Sequence, residues 1–299
     1  GNGEWIIPQL ERCLQTCGLD YDLVRTERPL HAIQLAQQAA EDGYEVVVAV
    51  GGDGTANEVL NGLMQAKQDG NGDQTAMAVL AAGRGNDSAY GMGMPDNMEE
   101  SCRIIAAGHR KKIDVGHVTG DLFPEGRYFG NSVGIGFDTV VGLEAVKMTR
   151  LTGFVSYLVA TLKTIFLYYK APQVEIEYDG QVTVVSALMV SIMNGSRQGG
   201  LFFMSPQAQN DDGLFDLCVV EEVSRTRIFT LIPHFFKGSQ FGEKEVAFGQ
   251  TNRLTVTAVT GVLPAHADGE TLCTDGVKLT IELLPQTVDV VSPIPEKMA

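Results

Sequence analysis

The 299-residue sequence predicts two domains, an α/β domain over residues 1–115 and a β-rich, β-sandwich-like domain over residues 116–286. Three observations predict this. Helical periodicity alternates with short β-branched runs in the first part of the chain, the pattern of βα units around a parallel sheet. Two of those runs end in glycine-rich turns. Beyond about Lys112 strand-like runs predominate, separated by turn residues such as Asp179-Gly180 and Asp275-Gly276.

Taken in order, Ile6–Cys17 and Leu30–Glu41 carry apolar residues at helical spacing. Glu45–Val50 and Ala76–Ala82 are short apolar runs, read as buried strands. Glu58–Gln65 and Met98–Ala107 read as helices. In the second domain Tyr128–Ser132, Val174–Tyr178, Val182–Met193, Phe215–Val220, Arg253–Val259 and Lys278–Leu284 read as strands. Thr139–Lys147, Phe154–Tyr168 and Arg225–Phe236 read as helices. Thr287–Ile294 is expected to pair back onto the first domain, so that 287–299 joins it.

Hydrophobic residues make up 44% and charged residues 20%, the composition of a packed protein rather than a disordered one. A formal net charge of -15 argues against a nucleic-acid partner and against general attraction to anionic membranes. Membrane contact must then be local and peripheral. The five cysteines form no Cys-x-x-Cys and no zinc-finger pattern with histidine, which predicts reduced thiols and a cytoplasmic location. No uncharged apolar run reaches the roughly 18 residues of a spanning helix; Lys163 interrupts the nearest, Gly153–Tyr169.

The most informative stretch is Val48-Ala49-Val50-Gly51-Gly52-Asp53-Gly54-Thr55-Ala56-Asn57-Glu58. A strand runs through three glycines into a helix. Glycine tolerates positive φ and lets backbone approach a ligand, and free amides at a helix start favour an anion. A polyphosphate suits such a turn, although neither the Rossmann nor the P-loop spacing is present. A plain strand-to-helix turn capped by Asp53 or Thr55 explains the residues equally well. Ala82-Gly83-Arg84-Gly85-Asn86-Asp87 repeats the arrangement, with Arg84 available to a phosphate. Two parallel strands would place both turns at one carboxyl edge. A surface arginine and a helix cap are the plain alternatives.

Together with Ile113-Asp114-Val115-Gly116, Phe129-x-Asn131, Gly134-x-Gly136-Phe137-Asp138, Asp211-Asp212-Gly213-x-x-Asp216 and Asp268-Gly269-Glu270, these turns make the chain resemble the diacylglycerol kinase catalytic family. The resemblance covers nearly the whole chain and extends to sphingosine kinases and, more distantly, NAD kinases. It implies ATP contacts from Gly51, Gly52, Asp53, Gly54, Thr55, Ala56, Asn57 and Glu58, and from Thr26 and Arg84. It implies Glu270 as general base, with Asp53, Asp87 and Asp114 organising Mg2+ and water. It also implies a separate Mg2+ site made of the Asp212 carboxylate and the carbonyls of Gln209 and Leu214. Read by themselves, Asp-Gly-Glu is a common hairpin turn and Asp-Asp-Gly an ordinary turn. The family opens with a strand and a further nucleotide-contacting loop, of which Gly1-Asn2-Gly3 resembles the tail; that strand is expected to be absent from this chain.

The implied function is ATP-dependent phosphorylation of the free hydroxyl of diacylglycerol or a similar lipid at a membrane surface, with homodimer formation left open. Phe154, Tyr157, Leu158, Thr161, Leu162, Ile165 and Tyr168 recur at helical spacing, as a core face or an acyl lining. Two alternatives remain open: a kinase of a soluble acceptor such as NAD, and a catalytically impaired binding protein. The five histidines show no metal-ligand spacing.

Overall fold

The computed structural model describes residues 6–146, 163–164 and 171–294. The chain divides into two compact units, Gly1–Val115 with Pro285–Ala299, and Gly116–Leu284.

The first unit contains helices α1 (Ile7–Thr16), α2 (His31–Glu41), α3 (Asp53–Gln68), α4 (Asp87–Gly91) and α5 (Met98–Ala107). Strands β1 (Val46–Gly51) and β2 (Ala76–Ala81) pair in parallel, from Val46 opposite Ala76 to Gly51 opposite Ala81. β2 is apolar on both faces and buried along almost its whole length, as a strand covered on both sides must be. Helices α2 and α3 come close because Gly62 has no side chain; a Cβ there would stand 2.2 Å from the Ile33 carbonyl oxygen. α3 begins five residues before the periodicity predicts. Extended Gly52 acts as its N-cap, so the glycine turn is itself the helix start.

The remaining strands are β3 (Arg110–Gly120), β4 (Phe123–Phe129), β5 (Ser132–Gly136), β6 (Gln173–Tyr178), β7 (Gln181–Met193), β8 (Phe215–Glu221), β9 (Val246–Thr251), β10 (Arg253–Ala258), β11 (Leu263–Ala267), β12 (Glu270–Gly276) and β13 (Lys278–Val291). Helices α6 (Phe137–Val146) and α7 (Arg225–Lys237) interrupt them. In the second unit the described pairings are antiparallel. β7 is long enough to serve two layers: its first half pairs with β6 and its second half with β5 and β8. Residues alternate along β10, with Leu254 and Val256 buried and Arg253 outward. Leu254, Val256 and Ile281 share a core with Val133, Ile135, Leu217 and Leu263 from the other layer. Phe129 and Phe215 stack at its centre with ring centroids 5.5 Å apart, both fully buried. Burial of each contributes about 1.5–3 kcal/mol.

Two departures from the sequence pattern position the site. The single run expected over Tyr128–Ser132 is broken into β4 and β5, because the amides of Gly130, Asn131 and Ser132 turn toward the Asp268 carboxylate. The two strands expected around 285 are instead one, β13. It bends at Pro285-Gln286, where Gln286 has φ 47°, and then runs parallel to β2 at Val290 opposite Met77. All five cysteines are free.

Candidate active site

In the first unit the two glycine turns touch. The Ala82 amide donates to the Gly51 carbonyl at 2.9 Å. A Cβ on Gly83 would lie 2.3 Å from the Gly52 Cα, and one on Gly51 would lie 2.6 Å from Thr55 Oγ1. Gly51 and Gly52 have ordinary φ, so close approach rather than left-handed backbone demands glycine at these two positions. No side chain caps α3, so the first amides of this sixteen-residue helix lack a side-chain acceptor, as an anion site would require. We expect Gly83→Ala to drive the turns apart, because the opposing atom is backbone and cannot rotate away. The variant should lose about 1–3 kcal/mol of stability and its ATP-induced thermal shift. An unchanged shift would show that the turns do not hold nucleotide.

Asp53 does not cap its own helix. Its Oδ1 accepts from the Ser88 amide at 2.9 Å, which ties α4 to the first turn. Asn86 Oδ1 accepts from the Gly83 amide at 2.8 Å and closes the second turn. Asp87 is buried beside it, whereas Arg84 and Thr26 are exposed on their loops. Ala56 and Asn57 are buried inside α3, and the Asn61 amide group donates to the Asn57 carbonyl. Glu58 is spent on structure: its two oxygens accept from the amides of Leu30 and Ala32 at 2.9 and 3.0 Å and cap α2. Asp114 is fully buried, and its Oδ1 accepts from the Gln286 amide at 2.7 Å, holding the bend in β13.

In the second unit the Asp-Gly-Glu segment is the two-residue turn between β11 and β12, with Ala267 opposite Glu270. Asp268 and Gly269 both have positive φ, 47° and 83°, the geometry of a type I′ hairpin. Asp268 is buried, and its carboxylate accepts from the amides of Gly130, Asn131 and Ser132, each at 2.9 Å. Its own amide donates to the Ser132 carbonyl. Asp268 is therefore the pin of the hairpin. Glu270 follows, exposed and paired with Ala267 through its backbone, and its carboxylate makes no hydrogen bond among the described residues. Sequence reasoning quoted Asp268 only as part of a motif; an aspartate before glycine at a turn gives no local sign of three remote donors.

One strand position earlier, His266 is buried and engaged at both ring nitrogens. Thr139 Oγ1 donates to the Gly134 carbonyl and so accepts from His266 Nδ1 at 2.9 Å. Gln198 Nε2 donates to His266 Nε2 at 2.9 Å and to Asp138 Oδ2 at 3.1 Å. Gly134 makes room for this network, since a Cβ there would stand 2.1 Å from Asp138 Oδ2. Asp138 and Gln198 form the polar end of a cavity of about 80 Å³. The rest of its described lining is apolar, from Phe137, Leu188, Met204, Leu231 and Phe235 among others. No sequence pattern announced this cavity, because its walls come from α6, α7, β7, β8 and the 198–204 segment. The helix predicted over Phe154–Tyr168, with its lipid-lining residues Phe154, Tyr157, Leu158, Thr161, Leu162, Ile165 and Tyr168, lies outside the described residues apart from Lys163 and Thr164.

For a cation, no three His, Cys, Asp or Glu side chains among the described residues converge as ligands. The 209–214 turn offers a different donor set. Asp212 Oδ1 accepts from the Leu214 amide at 3.1 Å, and Gly213 has φ 79°, so the Asp212 carboxylate and the backbone of Leu214 are held together. Close by, Asp216 is buried. Its Oδ1 accepts from Gln207 and Gln250, while Oδ2 has no partner among the described residues. Burial raises the Asp216 pKa, and the charge of Asp212 adds to the effect. An orphaned carboxylate oxygen beside an oxygen-rich turn fits a hard cation such as Mg2+.

Comparison with known proteins agrees with this architecture. The Diacylglycerol kinase catalytic domain matches residues 1–118, and the YegS C-terminal NAD kinase beta sandwich-like domain matches residues 131–292. Diacylglycerol kinase from Staphylococcus aureus (strain bovine RF122 / ET3-1) is 27% identical over 258 residues, 86% of this chain and 78% of the relative. The crystal structure of a diacylglycerol kinase from Bacillus anthracis str. Sterne matches with a TM-score of 0.72 at 22% identity, covering 98% of this chain and 93% of that one. An NAD kinase from Archaeoglobus fulgidus, solved in complex with ATP, matches with a TM-score of 0.50 at 14% identity over 98% and 90%. These last two likenesses establish the fold. With both halves matched by the two domain families, the chain belongs to the diacylglycerol kinase family of lipid kinases.

Proposed function

We propose that the chain transfers the γ-phosphoryl group of ATP to the free hydroxyl of diacylglycerol or a similar lipid. The observation that carries this reading is the apolar cavity of the second unit, whose polar end is joined through His266 to the strand leading into the Glu270 turn. An apolar lining suits acyl chain and gives little purchase to a soluble polar acceptor such as a dinucleotide. Glu270 takes the hydroxyl proton as that oxygen forms its bond to the γ-phosphorus and the bond to ADP breaks. Glu270 is suited to this because its carboxylate carries no structural hydrogen bond, whereas Asp268 beside it holds the turn. The α3 turn, with Thr26 and Arg84, receives the phosphates. Asp53 and Asp87 orient that edge. Glu58 and Asp114 position α2 and β13.

Mg2+, when bound, neutralises phosphate charge, and the Asp212 turn, with the carbonyls of Gln209 and Leu214, is the structural cation site. The lipid is met by peripheral contact at a membrane surface; among the described residues no helix is long and apolar enough to cross one. The decisive experiment is ATP turnover against a panel of lipid alcohols and NAD, with and without chelator. Phosphorylation of diacylglycerol that is abolished by chelation is expected. Phosphorylation of NAD alone would overturn the reading.

A further inference from the structure

The apolar cavity is too small to enclose the ligand its lining suits. A cavity of about 150 Å³ encloses one benzene ring. This one measures about 80 Å³, so it takes up part of an acyl chain and no more. The rest of the lipid's apolar carbon must lie outside, against the surface around the cavity. Two of the lining residues, Phe202 and Ile232, are only partly buried, so this wall of the cavity is also protein surface. That surface continues along α7. Ile228, Leu231 and Phe235 are the buried face of the helix. Phe229, Ile232 and Phe236, at i, i+3 and i+7, form a second apolar stripe beside it. Phe236 stacks on Phe202 with ring centroids 4.7 Å apart, which joins the stripe to the 198–204 segment. Phe229 is 39% exposed, and Leu201, which precedes Phe202, is 45% exposed. Arg225 and Lys237 stand exposed at the two ends of α7, whereas Arg227 is held by Glu243 and Glu245.

We infer that this face of the second unit, centred on Phe229, Ile232, Phe236 and Phe202, is the surface that docks on the lipid bilayer. The Phe229 ring sits at the boundary between headgroups and acyl chains, and Arg225 and Lys237 meet anionic headgroups. This rests on the lipid reading of the cavity above and says where that lipid stays: in the bilayer, while part of one chain enters the cavity. The occupant is a bilayer and not a protein because the face shares Phe202 and Ile232 with the cavity wall. A protein laid over that wall would cover the surface along which the rest of the lipid has to lie. Local attachment of this kind also suits a chain of net charge -15, whose overall charge opposes general attraction to an anionic membrane.

The test is sedimentation of the full chain, without nucleotide, with vesicles of phosphatidylcholine alone and of phosphatidylcholine with phosphatidylglycerol. Wild-type protein is expected to bind both, and the anionic vesicles more tightly. The double variant Leu201→Ser, Phe229→Ser should bind about 10–50-fold more weakly at an unchanged melting temperature, because two partly exposed apolar side chains lose their remaining burial. Phe229→Trp should bind at least as well as wild type, since an indole is favoured at headgroup level. Turnover separates this face from the cavity. On monomeric dihexanoylglycerol the double variant should match wild type, because neither residue lines the cavity. On dioleoylglycerol embedded in vesicles its KM should rise. Wild-type vesicle affinity in the double variant would overturn the inference, and continued phosphorylation of dihexanoylglycerol would leave the lipid reading standing. A wild-type dimer that the double variant splits, with vesicle binding unchanged, would also overturn it and give the face to a second copy of the chain. Wild-type turnover of neither lipid would overturn the lipid reading and the inference with it.

Discussion

Glu270→Gln is expected to cut lipid phosphorylation by about 10²–10⁴-fold, the range for loss of a general base, with the fold and ATP binding intact. The reason lies in the hairpin. Glu270 is exposed at the first position of β12 and its side chain contributes no described hydrogen bond, so an isosteric amide removes proton-accepting ability and little else. Melting temperature and the ATP-induced thermal shift should stay at wild-type values while turnover collapses. Near-normal turnover would remove Glu270 from the chemistry and reduce the motif to a turn.

The neighbouring Asp268→Ala should behave in the opposite way. Three backbone amides converge on one buried carboxylate, and alanine leaves all three without an acceptor. Hydrogen bonds to a charged group contribute about 1.5–3 kcal/mol each, and they share one acceptor, so their sum is not additive. A loss of about 3 kcal/mol or more follows, which for a unit of this size is on the order of 10 °C in melting temperature. Turnover should fall as well, because the turn presenting Glu270 loses its pin and the break between β4 and β5 loses its cause. The contrast between the two variants is the informative result. If Asp268→Ala melts within about 2 °C of wild type, the carboxylate does not hold the hairpin.

Much of the fold was legible in the chain because its signals are local. Short apolar runs ending in glycine gave β1 and β2, and helical spacing gave α1, α2, α5 and α7. Asp268-Gly269 announced a hairpin because positive φ is a property of those two residues alone. Other glycines answer to causes that periodicity and propensity do not register: Gly52 and Gly83 to backbone crowding between two turns, and Gly51 to the Thr55 side chain. Boundaries failed where remote partners intervened, as when Asp268 broke one expected strand into β4 and β5.

What the sequence by itself determined is the order of elements, the two glycine turns and the turn that exposes Glu270. What only the tertiary structure decided is what each polar side chain is for. Glu58 serves α2 from 26 residues away, and Asp114 holds Gln286 from 172 residues away. His266, Gln198 and Asp138 meet at a cavity whose walls come from five separate segments. The physical reason is range. Backbone conformation depends on a few adjacent residues, whereas a carboxylate or amide takes its role from whichever donor or acceptor sheet register and helix packing bring within about 3 Å.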